Sequence, residues 1–489
     1  MSFHSVDYLL FLPLVVMIYF ITSRSWRWAV LLAASNLFYA SWRVEFLPLL
    51  WLTTVVDYLV ALALARTAHQ AQRRVLLGIS LCANLGMLFF FKYFAGMANG
   101  WNGYFYPGSF EPYDILLPLG ISFYTFQTLG YTIDVYRKRR EPERHLGYFA
   151  TYVMYFPQLV AGPIERPVRL LPQLREDHRF ELNLVAAGAF LMLIGYFKKL
   201  VIADRLAESV PLIMAEPASY SSALVFLAAL GNIYRYYADL SGYADIAVGS
   251  SLMMGIRLTP NFNRPFAAAS ISAFWQRWHI TVTTWFRDYV YLPIARTASG
   301  PWRKPLATIF TIVIISAWHG AEWIWLLTGL VAGVVMVLEG AVRRMAWVRA
   351  IARTLAKRTP LGPRGTKQLG NGVNRIVLWA FLLLLGSLVN APDWRAGLAM
   401  WASMGRLPAE LAAGRFDLTG LDTLLASAAI LPFAILSLEV FQYHDARKPV
   451  FERMQHWGRV RAWGLVYACL AAIIVLGTYT SADFIYFRY

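Results

Sequence analysis

Residues 261–320 decide the fold of this chain and carry its most informative side chains. The segment reads NFNRPFAAASISAFWQRWHITVTTWFRDYVYLPIARTASG at 261–300, continues through the charged turn PWRK at 301–304, and ends AWHG at 317–320. It contains two histidines, His279 and His319, in surroundings that are otherwise strongly apolar. Ionisable groups at membrane depth are costly and usually face the interior of a helix bundle, so both histidines are candidates for function.

The first histidine is predicted to lie on a helix with two different faces. Helical spacing puts Trp275, His279, Val282 and Phe286 on one face, and Arg277, Thr281, Thr284, Asp288 and Tyr291 on the other. The second histidine ends the apolar run 309–318 and is followed by Gly320. A glycine there allows the helix to end and to expose its last carbonyl groups beside the imidazole.

The apolar residues of the whole chain form separate runs. The chain has 489 residues, of which 58% are hydrophobic and 16% aromatic, and its mean hydropathy is +0.48. Runs of about 16–22 apolar residues between charged loops are typical of an all-α, polytopic membrane protein. We predict about 11–12 transmembrane or re-entrant helices. They lie near 7–22, 28–42, 46–65, 75–95, 115–135, 182–202, 221–238, 306–318, 322–342, 376–391, 421–441 and 463–480.

Charged residues between the spans predict the orientation of the chain. Basic residues exceed acidic ones in the segments 24–27, 66–74, 137–145, 343–375 and 447–461, whereas 95–114 has two acids and no Lys or Arg. Because basic loops are retained in the cytoplasm, both termini are predicted to lie outside. The first span is not expected to be a cleaved signal, since its arginines follow the apolar run.

The formal net charge of +17 follows from these basic loops. Nucleic-acid binding needs basic residues concentrated on one folded module, which this sequence lacks, so the loops are expected to contact anionic lipid headgroups. Cys82 and Cys469 lie in apolar spans and indicate neither a disulfide nor a catalytic thiol. The histidine spacing does not match a metal site, and no metal is expected.

The segment 148–180 cannot form one straight span, because four prolines and a glycine interrupt it. A broken backbone near membrane depth is tolerated only where protein or water satisfies its polar groups. One interpretation therefore places Gln158, Glu165 and Arg166 along a cavity or at its mouth. A connector helix lying on the surface is an equally acceptable alternative.

A second polar cluster, YRYYADLSGYAD at 234–245, puts Arg235, Asp239 and Asp245 into an apolar neighbourhood. Buried charges of opposite sign usually pair, and removing one partner costs roughly 3–5 kcal/mol. We interpret these residues mainly as scaffold. The same interpretation, as groups that support the site or line the access of substrate, applies to Asn263, Arg264, Arg287 and Asp288.

Six motifs together resemble one family. They are PQLVAGPIERP (157–167), DLSGYAD (239–245), NFNRPF (261–266), FWQRWHIT (274–281), WFRDYVYLP (285–293) and AWHG (317–320). Each is weak alone, but in this order they resemble the membrane-bound O-acyltransferase family, and specifically its bacterial branch of alginate O-acetylation and teichoic-acid D-alanylation. The resemblance covers the middle third of the chain continuously and the rest more loosely.

The resemblance implies helices around a central tunnel and transfer of an acyl group from a thioester to a hydroxyl. On the family pattern His319 is the essential residue, assigned here as general base, and His279 orients the acceptor or stabilises the oxyanion. The residues expected to bind substrate or line the tunnel are Trp318, Trp275, Trp278, Arg277, Asn263, Arg264, Arg287, Asp288, Tyr243, Asp245 and Gln158.

The same resemblance implies cytoplasmic acetyl-CoA, or an acyl carrier-protein thioester, as donor, and a periplasmic SGNH-type acetyltransferase or esterase as partner. The predicted function is acetyl transfer across the bacterial inner membrane for O-acetylation of an exopolysaccharide such as alginate. D-alanyl transfer to teichoic acid is one alternative. A polysaccharide or lipid-linked sugar transporter is the alternative from another class, and the lack of paired repeats counts against it.

The chain is predicted to form one domain over 1–489, with peripheral helices in 1–147, a catalytic core in 148–342, and C-terminal helices with an aromatic tail in 343–489. The tail FIYFRY at 484–489 suits an interfacial anchor. It is also similar to the aromatic C-terminal motif of the small membrane subunit in D-alanylation systems, which implies Tyr486 as an acyl relay. Tyr486→Phe removes only the hydroxyl, so the acetyl content of the polymer separates the two roles.

Overall fold

The chain builds its regular structure from helices, with no strand among the described residues. The computed structural model describes residues 1–105, 112–297, 299–320, 322–347, 350–351, 354, 362–391, 394–414, 431–445 and 450–479. The α-helices are α1 (Val6–Ile21), α2 (Arg27–Ala40), α3 (Leu47–Arg66), α4 (Gln70–Phe89), α5 (Ala95–Phe105), α6 (Ile121–Tyr136), α7 (Leu146–Met154), α8 (Phe156–Leu159), α9 (Pro167–Arg175), α10 (Leu182–Tyr196), α11 (Asp204–Ala215), α12 (Ser222–Leu252), α13 (Ile271–Trp275), α14 (Ile280–Phe286), α15 (Leu292–Thr297), α16 (Arg303–Ala317), α17 (Trp323–Arg344), α18 (Gly362–Asn390), α19 (Trp394–Ala412), α20 (Leu431–Asp445), α21 (Val450–Met454) and α22 (Arg459–Leu476). In the described part of the chain, three π-helical segments adjoin them, at Phe90–Phe94, Phe197–Ala203 and Arg287–Tyr291.

Several of these helices suit a membrane. Within the described residues, five stretches are long and apolar enough to cross one, namely Val44–Arg66, Gln70–Asn102, Leu182–Ala215, Trp323–Arg344 and Gly362–Val389. Two shorter apolar helices are Val6–Ile21 and Val460–Leu476. All seven coincide with predicted spans, and the all-α, multi-pass architecture is confirmed. Their outer faces expose large apolar side chains such as Leu10 and Ile376, as contact with lipid requires.

The longest helix, α12, packs closely against α10. It continues through the DLSGYAD motif to Leu252, so the predicted end at residue 238 was wrong. Polar residues interrupt the apolar run in the sequence, but in the structure Asp239 and Asp245 pair with lysines and the helix continues past them. The two backbones nearly touch, because a Cβ added to Gly249 lies 2.5 Å from the carbonyl oxygen of Gly188. Small residues permit this close approach.

Contacts between loops place three of the predicted cytoplasmic segments, 24–27, 66–74 and 137–145, on one side of the molecule. Arg73 donates to the carbonyl of Tyr136 at 2.7 Å, which joins the start of α4 to the end of α6. Arg24 donates to the carbonyl of Arg175 at 3.1 Å, and Arg175 pairs with Glu143. We call the side formed by 24–27, 66–74, 137–145 and 175–178 the basic face.

Residues 149–165 are buried, so the alternative of a surface connector is wrong for this stretch. Gln158 is 2% exposed and Glu165 is 1% exposed. Side chains from other helices satisfy the broken backbone: the amide of Phe156 donates to the hydroxyl of Ser35 at 3.0 Å. The prolines therefore divide the chain into the short helices α7, α8 and α9 inside the bundle.

The continuous helix predicted around His279 is also wrong. α13 ends at Trp275 and α14 begins at Ile280, and His279 between them has the left-handed backbone angles φ 48° and ψ 50°. This conformation costs a residue other than glycine roughly 1–2 kcal/mol, and it persists where the surrounding structure determines it. The two predicted faces are thus broken in the middle.

Candidate active site

Two loop segments, 261–263 and 277–281, hold His279 in its left-handed conformation. The amide of Asn263 donates to the carbonyl of Arg277 at 2.9 Å. The amide of Ile280 donates to the carbonyl of Asn261 at 2.8 Å. These backbone bonds flank His279, and a local sequence pattern cannot show them because the partners are about 14–19 positions apart.

Side chains reinforce the same junction. The Oδ1 atom of Asn261 accepts hydrogen bonds from the amide of Thr281 at 3.0 Å and from its hydroxyl at 2.9 Å. The Nδ2 atom of Asn261 lies 3.1 Å from Nδ1 of His279. We call Asn261, His279 and Thr281 the asparagine clasp. All three residues are buried.

His319 lies just beyond the end of α16, where the sequence predicted a helix end. Its Nδ1 atom is 3.3 Å from the carbonyl oxygen of Ser316. Its ring stacks on Trp325, with 5.1 Å between ring centroids and 21° between planes. A Cβ added to Gly320 lies 2.5 Å from Nε1 of Trp325, so the glycine permits this close turn.

Trp318 connects the two histidines. The centroid of its ring lies 6.3 Å from that of His279 and 4.8 Å from that of His319. Trp318 is itself buried, and Phe123 and Phe126 contact its other edges. The tertiary structure therefore brings both predicted histidines to one indole, although they are 40 positions apart in the chain.

Lys92 and Tyr93 belong to this neighbourhood, and sequence reasoning missed them. The Nζ atom of Lys92 is 5.3 Å from the ring centroid of Trp318. The hydroxyl of Tyr93 donates to the carbonyls of Ala317 at 3.1 Å and Trp318 at 3.3 Å. Both lie in the π-helical segment Phe90–Phe94, and such segments are frequent at functional sites. A single lysine inside the predicted span 75–95 was the available signal.

An apolar cavity of about 200 Å³ lies beside His319. Its walls come from α12, α13, α16, α17 and α18, together with Trp278, and they are mostly aliphatic and aromatic. Among the predicted site residues, Trp275, Trp278 and His319 line it. The volume is below the roughly 300–1,000 Å³ of typical ligand pockets, so the cavity suits a short acyl group or a single side chain.

A polar cavity of about 660 Å³ has Arg257 on its wall, and Arg257 bonds to Gln173, two residues before Arg175 of the basic face. Of the predicted residues, Asp245, Asn263 and Arg264 line it, and Arg169 and Arg257 add two further cations. The volume falls in the range of sites for cofactor-sized molecules. Arginine clusters of this kind bind anionic groups such as phosphates.

Two aromatic rings lie between the cavities. Phe262 lines the polar cavity and Trp278 lines the apolar one, and their ring centroids are 5.2 Å apart at an angle of 88°. Phe262 also lies 5.7 Å from the ring of His279. His279 thus contacts a ring on the wall of the polar cavity, although it does not itself line either cavity.

Two acids of α12, the buried Asp239 and the half-buried Asp245, pair with lysines of the π-helical segment Phe197–Ala203, which the sequence did not predict as partners. Lys198 lies 2.6 Å from Asp245, and Lys199 lies 2.8 Å from Asp239. Close packing of α10 and its π-helical extension on α12 brings these charges together. The pairs support the interpretation of these residues as scaffold, although Lys198 and Asp245 also line the polar cavity.

Tyr243 and Gln158 lie away from the cavity walls described above. Tyr243 is buried and stacks on Phe3, with 4.5 Å between ring centroids. Gln158 donates to the carbonyl of Tyr152 at 2.6 Å. These contacts explain their burial by packing and hydrogen bonding, and a tunnel-lining role for either residue stays a prediction.

The charged residues of the WFRDYVYLP motif form a local cluster. Asp288 accepts from Arg166 at 3.0 Å and from Arg287 at 2.8 Å. Arg277 contributes its backbone carbonyl to the loop junction described above. Tyr486 lies outside the described residues. Substrate contacts of all these side chains stay predictions.

The fold and the site define a multi-pass membrane protein in which two histidines contact one indole, and one of them, His319, lines an apolar cavity. The model of the MBOAT, membrane-bound O-acyltransferase family matches residues 143–381. A Pseudomonas putida relative that aligns with 98% of this chain is more than 30% identical to it. The chain belongs to this family and is an O-acyltransferase.

Three relatives have names that state a kind of acyl transfer. A Pseudomonas putida protein named "Probable alginate O-acetylase AlgI" is 32% identical, and the alignment covers 98% of each chain. A Helicobacter pylori protein named "Peptidoglycan O-acetyltransferase" is 34% identical over 64% of each chain. A Streptococcus thermophilus protein named "Teichoic acid D-alanyltransferase" is 28% identical over 55% of this chain and 68% of its own.

Proposed function

We propose that this protein transfers acetyl groups from cytoplasmic acetyl-CoA, across the bacterial inner membrane, for O-acetylation of a polysaccharide such as alginate. The relative that aligns with 98% of this chain supports this choice, because it is named for alginate O-acetylation. The observation that carries the mechanism is the contact between Nδ1 of His319 and the carbonyl of Ser316 beside the apolar cavity.

That contact determines which nitrogen of His319 can act as a base. A carbonyl oxygen only accepts hydrogen bonds, so a neutral His319 carries its proton on Nδ1 and its lone pair on Nε2. In the proposed reaction, Nε2 takes the proton of the acceptor hydroxyl while the hydroxyl oxygen attacks the thioester carbonyl. The carbon–sulfur bond then breaks, and the proton passes to the departing sulfur, which leaves as a thiol.

The polar cavity is the proposed site of the donor. Arg169, Arg257 and Arg264 supply cations for the phosphates of coenzyme A, on the side next to the basic face. The thioester end then points toward the ring pair Phe262 and Trp278, beyond which lies His319. Displacement of this ring pair would join the two cavities and deliver the acetyl group to the base.

The acceptor that meets His319 is proposed to be a single hydroxyl group on a carrier, such as a side chain of a periplasmic partner. The apolar cavity is small and mostly hydrophobic, which is unsuited to a charged polysaccharide. A partner of the acetyltransferase or esterase type would then pass the acetyl group to the polymer. This arrangement also excludes water from the thioester.

His319→Gln tests the proposed base, because it removes the imidazole and keeps a polar side chain. We expect acetyl transfer to fall by about 10²–10⁴-fold, with normal expression and thermal unfolding. The measurement is the acetyl ester content of secreted alginate, in a producing bacterium that lacks its own membrane acetylase. His69→Gln is the matched control, since His69 is exposed before α4. Near-normal acetylation by His319→Gln would contradict the assignment, and D-alanyl esters in place of acetyl would contradict the donor.

A further inference from the structure

We propose that Asn261 is a positioning residue that fixes the ring proton of His279 on Nε2. The two histidines around Trp318 are then opposite tautomers. Nε2 of His319 is an accepting base, whereas Nε2 of His279 carries a proton and is a hydrogen-bond donor. The catalytic consequence rests on the proposed function, whereas the position of the proton follows from the hydrogen bonds of the asparagine clasp alone.

The orientation of the Asn261 amide follows from its bonds to Thr281. A backbone N–H can only donate, so the Asn261 atom 3.0 Å from the amide of Thr281 must be the oxygen, Oδ1. The Thr281 hydroxyl donates to the same oxygen at 2.9 Å, while it accepts from the amide of Ile164 at 3.1 Å. The other end of the Asn261 side chain is therefore the NH₂ group.

This NH₂ group determines the tautomer of His279. An amide nitrogen is a donor without an accepting lone pair, so Nδ1 of His279, 3.1 Å away, must accept. A neutral imidazole with its lone pair on Nδ1 carries its proton on Nε2. Asn261 thus sets His279 by the same kind of contact through which Ser316 sets His319, but with the opposite outcome.

Opposite forms suit complementary tasks. His319 accepts the hydroxyl proton at Nε2, whereas His279 donates from Nε2 to the oxygen that gains negative charge when the thioester carbonyl is attacked. The backbone bonds on both sides of His279 and its burial restrict the direction of the ring. A donor that is already oriented in a dry site needs little reorganisation during the reaction.

Asn261→Asp is the most direct test, because aspartate has nearly the same shape. One carboxylate oxygen still accepts from Thr281, but the other can no longer donate to His279. We expect the ring proton of His279 to move to Nδ1, and acetyl transfer to fall by about 10²–10³-fold, as for loss of one oxyanion donor. Nitrogen NMR of the full-length protein, labelled with ¹⁵N-histidine in lipid nanodiscs, reports which ring nitrogen is protonated.

Two further variants complete the experiment. His279→Asn identifies the His279 signals, and asparagine is among the residues that best tolerate the left-handed backbone. Asn36→Asp is the matched control: Asn36 donates to the carbonyl of Leu32 at 2.7 Å and accepts from Trp51 at 2.8 Å, and neither partner is a histidine. This control is expected to leave the His279 signals and acetyl transfer unchanged.

The outcomes separate the two proposals. A wild-type His279 with its proton on Nδ1, or an Asn261→Asp variant with the proton still on Nε2, overturns the role of Asn261 regardless of activity. The expected spectra in a protein whose acetyl transfer survives His319→Gln would support the asparagine clasp and overturn the proposed function.

Discussion

Trp318 is the side chain that the ionisable groups of the site, Lys92, His279 and His319, all contact. Lys92 lies over its ring at 5.3 Å, and both imidazoles contact its edges or faces. A displacement of this indole therefore moves both histidines relative to a bound thioester. Small errors in the placement of reacting groups can lower a rate strongly, because the advantage of pre-organised geometry is lost.

Lys92→Met tests this dependence at the level of one residue. Methionine has a similar length but no charge, and a cation–π contact contributes about 0.5–2 kcal/mol. Loss of this contact is expected to lower acetyl transfer by roughly two- to thirty-fold. The measurement is acetyl ester content at matched expression.

Lys92→Arg is the control for that experiment, since a guanidinium also binds to an aromatic face. We expect Lys92→Arg to retain most of the activity that Lys92→Met loses. Equal activity of Lys92→Met and wild type would show that Lys92 does not position Trp318.

At the scale of elements, the contact between α10 and α12 carries the scaffold of the site. The pairs Gly188–Gly249 and Gly195–Gly242 bring the two backbones together. This approach also places Lys198 and Lys199 within reach of the acids on α12. A bulkier residue at the contact would therefore disturb both the packing and the buried charges.

Gly249→Ala is expected to lower the free energy of unfolding by about 1–3 kcal/mol, as overpacking typically does. The added Cβ would lie 2.5 Å from the carbonyl oxygen of Gly188 and 2.8 Å from Cγ of Met192. Thermal unfolding of the purified protein in detergent measures the effect.

Gly86→Ala is the matched control, because a Cβ on Gly86 in α4 meets nothing within 4 Å. Alanine favours a helix over glycine by about 1 kcal/mol, so this variant should unfold at the same temperature or higher. Similar melting temperatures for Gly249→Ala and wild type would contradict the proposed tight contact.

At the scale of the whole molecule, the basic face and the position of the site support the proposed direction of transfer. The polar cavity lies next to the basic face, and Trp318 lies at the junction of the ends of α4 and α16, away from the loops of that face. The family match at 143–381 supports our proposal that 148–342 forms the catalytic core of a single domain. Donor and acceptor are thus proposed to approach from opposite sides of the membrane.

Reporter fusions test this orientation. A reporter fused near position 360 is expected to be active in the cytoplasm, and one at the C-terminus in the periplasm, because Lys and Arg accumulate in 343–375. Alkaline phosphatase and green fluorescent protein fusions report opposite compartments and control for each other. Cytoplasmic fluorescence from the C-terminal fusion would contradict the predicted topology.

Several properties were determined by the sequence alone. The helical membrane class follows from the length of the apolar runs, because hydrocarbon thickness and backbone hydrogen bonding leave few alternatives. The histidines were evident because polar residues are rare in such runs. The helix end at His319 followed from Gly320, since that signal is local in the chain.

Other properties depended on tertiary structure. The break at His279, the lysine partners of Asp239 and Asp245, and the contact of Lys92 with Trp318 all join residues that are distant in sequence. The tautomers of His279 and His319 also depend on tertiary structure, since each is set by the atom that contacts Nδ1 of the ring. Hydrophobic pattern determines which segments are buried, but hydrogen-bond direction and ion pairing are short-ranged, so only the packed structure decides which buried groups meet.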